Sequence, residues 1–225
     1  MGIVLSPRLN AAASLVRGGG TVADIGTDHG YLPVFLTEQG LVSFAVCSDI
    51  GKLPLENAKK AVEKSGLSEK ISLRLSDGLK GFSPGEADEF VFAGMGGTLI
   101  VRMLEETSWI KDKNLHFVFQ PQSRAEELRE FLYKNGFEIG REIAVHENRR
   151  YYIAFDAYYT GAVKKYSPAD CFTGKLPKTE DGRKYVSLQL ARIEKKYNAV
   201  KENGEREEAE ALKSLTEKLK EFIYV

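Results

Sequence analysis

The chain has 225 residues, 43% of them apolar, with 32 basic against 32 acidic side chains, enough to bury a full core in one domain with length to spare for an appendage. A balanced charge excludes nucleic-acid binding through a global positive field, no apolar run approaches the roughly 18 residues of a membrane span, and the N-terminus carries no apolar leader, so a cytoplasmic protein is expected. Cys47 and Cys171 stand far apart and His29, His116 and His146 form no cluster, so neither a disulfide framework nor a metal site is expected.

Ser6 and Pro7 open a short leading helix carrying Leu9, Ala12, Ala13, Leu15 and Val16, with Ser6 as its cap, and Gly18-Gly19-Gly20 end it. An apolar strand through Val22, Ala23 and Ile25 then runs into Gly26-Thr27-Asp28-His29-Gly30-Tyr31, a glycine-bearing turn that opens the next helix. In an open α/β sheet this first crossover is where backbone comes closest to a nucleotide. Gly26 permits a tight turn and close approach, and Gly30 lets the following helix pack near the strand. A dinucleotide fingerprint reads G-x-G-x-x-G and seats a pyrophosphate on helix N–H groups. Here Asp28 replaces the middle glycine and Asp24 precedes Gly26. Two carboxylates repel a pyrophosphate and suit a cofactor bearing an ammonium and a sulfonium, which points to S-adenosylmethionine.

A helix over Leu32 to Gln39 leads to a second apolar strand, Ser43 to Ser48, in which Cys47 reads as a buried small hydrophobe. Asp49 ends this strand a little over 20 residues past Gly26, where nucleotide-binding α/β folds place an acid for the ribose hydroxyls. A helix over Leu55 to Ser65 carries Leu55, Ala58, Ala61 and Val62 at helical spacing. The strand Ile71 to Leu75 meets Ser76-Asp77-Gly78, a turn able to reach an adenine edge and also a common turn sequence. Phe90-Val91-Phe92-Ala93 is a continuous apolar run of the kind a central parallel strand needs. It ends in Gly94-Met95-Gly96-Gly97, bare backbone where a side chain would block a ligand, and Thr98 opens a helix. His116 to Phe119 form the next strand and deliver Gln120-Pro121-Gln122 to the same edge. A helix from Ser123 to Asn135 stops at Gly136. The alternating runs Phe137 to Val145 and Arg150 to Tyr159, separated by only His146-Glu147-Asn148-Arg149, predict an antiparallel pair at the sheet edge. The order predicted is five βα units followed by a β-hairpin.

From Thr160 the character changes. Pro168, Gly174 and Pro177 punctuate a linker-like stretch, after which Val186, Leu190, Ile193, Tyr197 and Val200, then Leu212, Leu215, Leu219 and Phe222, recur at helical spacing on either side of Glu202-Asn203-Gly204. These predict two amphipathic helices packed as an antiparallel coiled coil, with a domain over 1–160 and the helical appendage over 161–225. Between Gly161 and Lys201 ten basic residues face four acidic ones. Such a stripe is either a phosphate-binding face or a solvated helix surface.

The runs Asp24-Ile25-Gly26-Thr27-Asp28-His29-Gly30-Tyr31-Leu32-Pro33 and Ala93-Gly94-Met95-Gly96-Gly97-Thr98, with Gln120-Pro121-Gln122, give a chain that resembles the bacterial TrmK family from end to end. That family's pattern has Asn where this chain has Gln122 and, in some members, Glu where it has Asp49. The resemblance implies a class I, Rossmann-like, seven-stranded methyltransferase domain and an S-adenosylmethionine-dependent enzyme that methylates N1 of adenosine 22 in tRNA. It implies that Asp24, Gly26, Asp28 and His29 face the methionine end of the cofactor, Asp49 the ribose, Asp77 and Gly78 the adenine, and Ala93, Gly94, Met95 and Gly96 the methyl-transfer position. Asp28, His29, Gln120 and Pro121 are the candidate catalytic residues, with Gln120 accepting from the exocyclic amine of the target adenine. Tyr31 is a candidate stacking partner for an extruded base, and Arg8, Lys164, Lys165, Arg183 and Lys184 are candidate phosphate grips. A methyltransferase acting on another RNA, a protein or a small molecule, or a nucleotide-binding module without catalysis, would share the cofactor features.

Overall fold

A computed structural model describes residues 2–224 of the chain. After a leading helix α1 (Pro7–Leu15) the chain runs β1 (Thr21–Ile25), α2 (Tyr31–Glu38), β2 (Phe44–Asp49), α3 (Lys52–Ser65), β3 (Ile71–Leu75), β4 (Glu89–Gly96), α4 (Gly97–Glu105), β5 (His116–Ser123), α5 (Ala125–Lys134), β6 (Phe137–Glu147) and β7 (Arg150–Tyr159). Three helices follow, α6 (Pro168–Thr173), α7 (Glu180–Glu202) and α8 (Arg206–Tyr224). The strands form one seven-stranded sheet in the order β3-β2-β1-β4-β5-β7-β6, parallel except for β7, which is antiparallel to both β5 and β6. The expected hairpin is present, with its second strand inserted beside β5. The five βα units become four, because β3 is followed by a short 3-10 turn, Gly78–Gly81, where no apolar helical pattern exists to cover the sheet.

The central strands alternate between two cores, as a sheet covered on both faces requires. Val22, Cys47, Val91, Val118 and Ala154 point to the face covered by α1, α2 and α3. Ala23, Val46, Phe90, Phe92, Phe117, Phe119 and Phe155 point to the other, under α4 and α5. The phenylalanines of this face are in mutual contact, Phe92 to Phe119 at 5.4 Å and Phe117 to Phe137 edge-on at 5.9 Å between centroids.

The aromatic core also takes in the appendage: Tyr185, Val186 and Leu190 of α7 and Leu215, Leu219 and Ile223 of α8 belong to it. Only Val200, Ala209 and Leu212, with Ile193 and Tyr197 against them, form a separate cluster further along the helix pair. The helix pair is therefore rooted in the domain over its proximal half. The stretch read as linker holds the short helix α6, which opens on a capping box between Ser167 and Asp170.

Arg129 explains why this segment is ordered. Its side chain is fully buried, donates to both carboxylate oxygens of Glu142 at 3.0 and 3.3 Å, and donates through its remaining nitrogen to the carbonyls of Cys171 and Phe172. Gly174 follows with a positive φ of 54°, and a Cβ there would lie 2.3 Å from the Glu142 carboxylate. No helix of the described residues is long and apolar enough to cross a membrane.

Candidate functional site

The carboxyl ends of β1, β4 and β5 open onto a cavity of about 420 Å³. Its walls include Asp24, Gly26, Thr27, Asp28, His29, Gly30 and Tyr31 from the first crossover, Ala93 and Gly94 from β4, and Gln122 from β5. Leu5, Ser6, Arg8 and Leu9 close it from the N-terminal side, and Glu147 from the end of β6. The crossover turn is fixed from β2: the N–H groups of Gly26 and Thr27 both donate to the Ser48 carbonyl, at 2.8 and 2.9 Å. Gly26 has φ 78°, and Met95 packs where its Cβ would be, with Sδ 3.0 Å away. Met95 thus braces the turn and does not line the cavity. Gly30, in the left-handed region at φ 66°, makes room for Ala58 of α3, not for the strand as the sequence suggested.

Asp24 is the most perturbed acid of the site. It is 7% exposed, and burial pushes its carboxyl up to about 6, with the negative charge of Asp49 adding to the rise and the Thr27 hydroxyl offsetting part of it. The Thr27 Oγ1 lies outside full hydrogen-bond geometry, so this hydroxyl is buried without a partner, as are those of Ser6 and Ser48. The unpartnered hydroxyls of Ser6 and Thr27 and the desolvated carboxylate of Asp24 around one cavity fit a polar, cationic ligand, since each is costly to bury until satisfied. S-adenosylmethionine has that chemistry. Asp28 is exposed and sits 3.2 Å from His29 Nε2, and His29 stacks on Tyr31 at 5.1 Å between centroids. His29 and Tyr31 also border a broader groove toward Lys60 and Lys64 of α3.

Asp49 and Asp77 stand at the same sheet edge, beyond the cavity itself. Asp49 Oδ1 accepts from the Gly51 N–H at 2.6 Å. Asp77 is bonded to Lys80 Nζ at 2.6 Å, which holds its carboxyl below the usual range; it is free for an adenine edge only if Lys80 turns away. Gly78, at φ 58°, is in contact with Met103 of α4. The glycine run divides in its reasons. Gly94, at φ 84°, is bordered by Arg8 and Gln122 across the cavity, Gly96 by Ser123. Gly97 serves packing alone, because the Arg124 carbonyl lies 2.2 Å from where its Cβ would be.

Three corrections to the sequence reading follow. Arg8 is not a free phosphate grip: its backbone N–H donates to Glu147 Oε2 at 2.9 Å, its Nε lies 3.4 Å from Glu147 Oε1, and its NH1 donates to Gln120 Oε1 at 3.2 Å. Gln120 is fully buried beneath it. Arg8 holds Oε1 and leaves Gln120 with an unpartnered Nε2 donor, so the expected acceptance from an exocyclic amine has to share an oxygen that already accepts one bond; a guanidinium has no acceptor and fixes the amide this way round. Pro121 is buried beside it, paired in register with Met95.

The third correction concerns the tail. Lys164 and Lys175 are ion-paired with Glu138, which lies opposite Tyr158, itself opposite the first residue of β5; that is the far end of the sheet from the cavity. Arg183 donates to the carbonyls of Lys178 and Ile223, and Lys165 and Lys184 lie on these same stretches, exposed. Glu147, Ser6 and Thr27 were not singled out from the sequence as site residues. Glu147 in the polar turn between the two edge runs was the available signal, since a hairpin tip at a strand's carboxyl edge overhangs the crevice.

Residues 5–155 match a family model described as a methyltransferase domain. Over 151 residues, 66% of this chain, the sequence is 40% identical to the tRNA (adenine(22)-N(1))-methyltransferase of Bacillus subtilis (strain 168), and that stretch covers 62% of the relative, so less than two thirds of its length is spanned. The crystal structure of the B. subtilis m1A22 tRNA methyltransferase TrmK superposes over 98% of this chain and 99% of that one, with a TM-score of 0.86 and 29% identity. A candidate tRNA (m1A22) methyltransferase of Streptococcus pneumoniae, crystallised with S-adenosyl-L-methionine, superposes over 98% and 100% of the two chains, with a TM-score of 0.82 and 32% identity.

Proposed function

The chain belongs to the TrmK family of methyltransferases, and from that membership we propose that it is an S-adenosylmethionine-dependent enzyme that methylates N1 of adenosine 22 in tRNA. The observation that carries the reading is Asp24, a carboxylate desolvated enough to titrate at about 6, in a cavity it shares with the bare backbone of Gly94 and with Gln122 of the neighbouring strand. The cytoplasm, where tRNA is modified, is the expected location.

The bound cofactor supplies an electrophilic methyl group on a sulfonium. Asp24 and Asp28 hold the cationic end by charge in a partly dry cleft, where such attraction is stronger than in water. Asp49 takes the ribose hydroxyls, and Gly94 leaves room at the transfer position. Adenine N1 carries an in-plane lone pair, so no residue of this chain has to remove a proton before transfer. The chain's contribution is alignment, which supplies roughly 7 kcal/mol or more in favourable intramolecular models. Arg8 and Gln120 serve that alignment as a pair, with the amide offering an N–H to an acceptor of the extruded base.

Incubation of unmodified tRNA transcripts with methyl-labelled cofactor, followed by mapping of the modified base, tests this. Label on N1 of adenosine 22 is the expected outcome. Label on another position, or none on any tRNA, overturns the proposal.

A further inference from the structure

On the far side of Gln122 from the cofactor cleft, a second cavity of about 170 Å³ lies where the sheet edge meets α7. Gln122 borders both cavities. Tyr151 and Tyr152 at the start of β7 and Gln189 of α7 form its walls, and Arg124 and Arg192 stand at its rim. None of these five belongs to the cofactor cleft.

Arg124 is in the left-handed region, φ 54° and ψ 37°, a conformation that costs a non-glycine residue free energy and persists only where the surroundings impose it. The imposing contact is the start of α4: the Arg124 carbonyl occupies the space left by the missing side chain of Gly97. The chain therefore maintains a strained arginine at the rim. Arg192 reaches the same place from the helix pair, and both guanidiniums approach one oxygen of Glu126, at 3.9 and 3.8 Å. Arg124 is also paired with Glu127 at 3.5 Å, so two carboxylates balance the two cations, and the two arginine side chains remain 55% and 54% exposed. A cavity with an aromatic wall, side-chain amides and two exposed guanidiniums held at 3.5 to 3.9 Å from their carboxylates is suited to a single unpaired nucleotide, which presents a planar base together with a phosphate that can take the place of those carboxylates.

We propose that this junction is a second nucleotide subsite, which takes the unpaired nucleotide adjoining the target adenosine, its base against Tyr151, the tyrosine on the α7 face of β7, and its phosphate between Arg124 and Arg192. The inference rests on the proposed RNA substrate and gives the helix pair a definite task. With α7 docked on the sheet, Arg192 completes a clamp begun by Arg124, so the strand leaving the cleft is held by both parts of the chain.

Arg124→Asn, which keeps a residue tolerant of the left-handed region, and Arg192→Gln, on an exposed helix face, are each expected to weaken tRNA binding and raise KM for tRNA. The Kd for S-adenosylmethionine stays at the wild-type value, and the slope of log K against log salt flattens by about one for each. Tyr151→Ala is expected to lose about tenfold in tRNA affinity. That loss disappears when the nucleotide on one side of the target is made abasic, because the two changes remove the same contact. Unchanged affinity and slope in both arginine variants, or losses that add fully with abasic nucleotides on either side, overturn the subsite. Should Tyr151→Ala fail to fold, the arginine variants decide alone. A wild-type protein that binds tRNA without methylating it overturns the functional reading and leaves the subsite to be judged on the binding slopes; normal methylation with unaltered variants overturns the subsite alone.

Discussion

Asp24 illustrates a residue kept at a cost to stability. Its folded-state value of about 6 against 3.8 means that the folded protein binds this proton more tightly than the unfolded chain. Above pH 6 the ionised carboxylate therefore destabilises the fold by about 3 kcal/mol, and the penalty is relieved as pH falls from 6 toward 3.8. Asp24→Asn is expected to raise the melting temperature of the cofactor-free protein by several degrees while abolishing the thermal shift that S-adenosylmethionine gives the wild type. In the wild type, cofactor affinity should fall about tenfold per pH unit below 6, because the ionised form is the one that binds; isothermal titration between pH 5 and 8 measures it, and a flat profile would remove Asp24 from the cation site. The two acids were legible in the sequence because a carboxylate replaces a fingerprint glycine. The commitment of Gln120 Oε1 to Arg8 was not, since the two residues lie 112 positions apart and no local spacing records a contact of that reach.

At the level of elements, two buried charge clusters hold the sheet to its surroundings. Arg129 and Glu142 tie α5, β6 and the α6 segment together, and removing one partner leaves the other buried and unpaired. Arg129→Met should cost about 3–5 kcal/mol in urea unfolding, and Arg129→Met with Glu142→Leu should recover most of it, since an apolar pair of similar volume is tolerated where a lone charge is not. The second cluster joins β4, β5 and β7 at the opposite end of the sheet from the cleft: His116 is buried between Glu89 at 3.4 Å and Asp156 at 3.3 Å. Burial pushes its imidazole down, but Asp156 and Glu89 outweigh this and hold it above its ordinary value. The raised value means that the stabilisation is complete below the unfolded value of about 6.5 and is lost as pH rises through the folded one. Urea midpoints are expected to fall as pH rises above 6.5 in the wild type, with that drop absent in His116→Gln. The strands themselves were legible because alternation and continuous apolar runs report burial on one or both faces. Helix α6 was passed over because its six residues are too few for an apolar period to show, and what orders it is Arg129, a contact made from another element.

For the molecule as a whole, the sequence shows a basic tail, and the fold redistributes that charge. Lys164 and Lys175 are both paired with Glu138 at the far end of the sheet, while Arg183 caps the end of α8 through the Ile223 carbonyl. Arg192 sits level with the first turn of α5 through Glu126, so α7 beyond it rises above the cleft edge by about 15 Å at 1.5 Å per residue. The projecting tip is not basic: residues 197–207 hold Lys201 and Arg206 against Glu202, Glu205 and Glu207. Composition alone was blind to this, because a count over the tail cannot tell a lysine paired under the sheet from one facing the cleft. On the proposed function, the electrostatic grip on RNA is expected at the level of Arg192 and Lys195, with the tip contributing shape. Lys196 and Glu208 are paired across the two helices at 2.6 Å, so a short glycine-rich turn joining them can replace 197–207 while the proximal halves stay in the aromatic core. The shortened protein should keep its cofactor affinity and its salt slope for tRNA, whereas Arg192→Gln with Lys195→Gln in the full chain should flatten that slope by about two. A slope that flattens on shortening would put the phosphate contacts at the tip, and would separate the gripping surface from the strained arginine at the sheet edge.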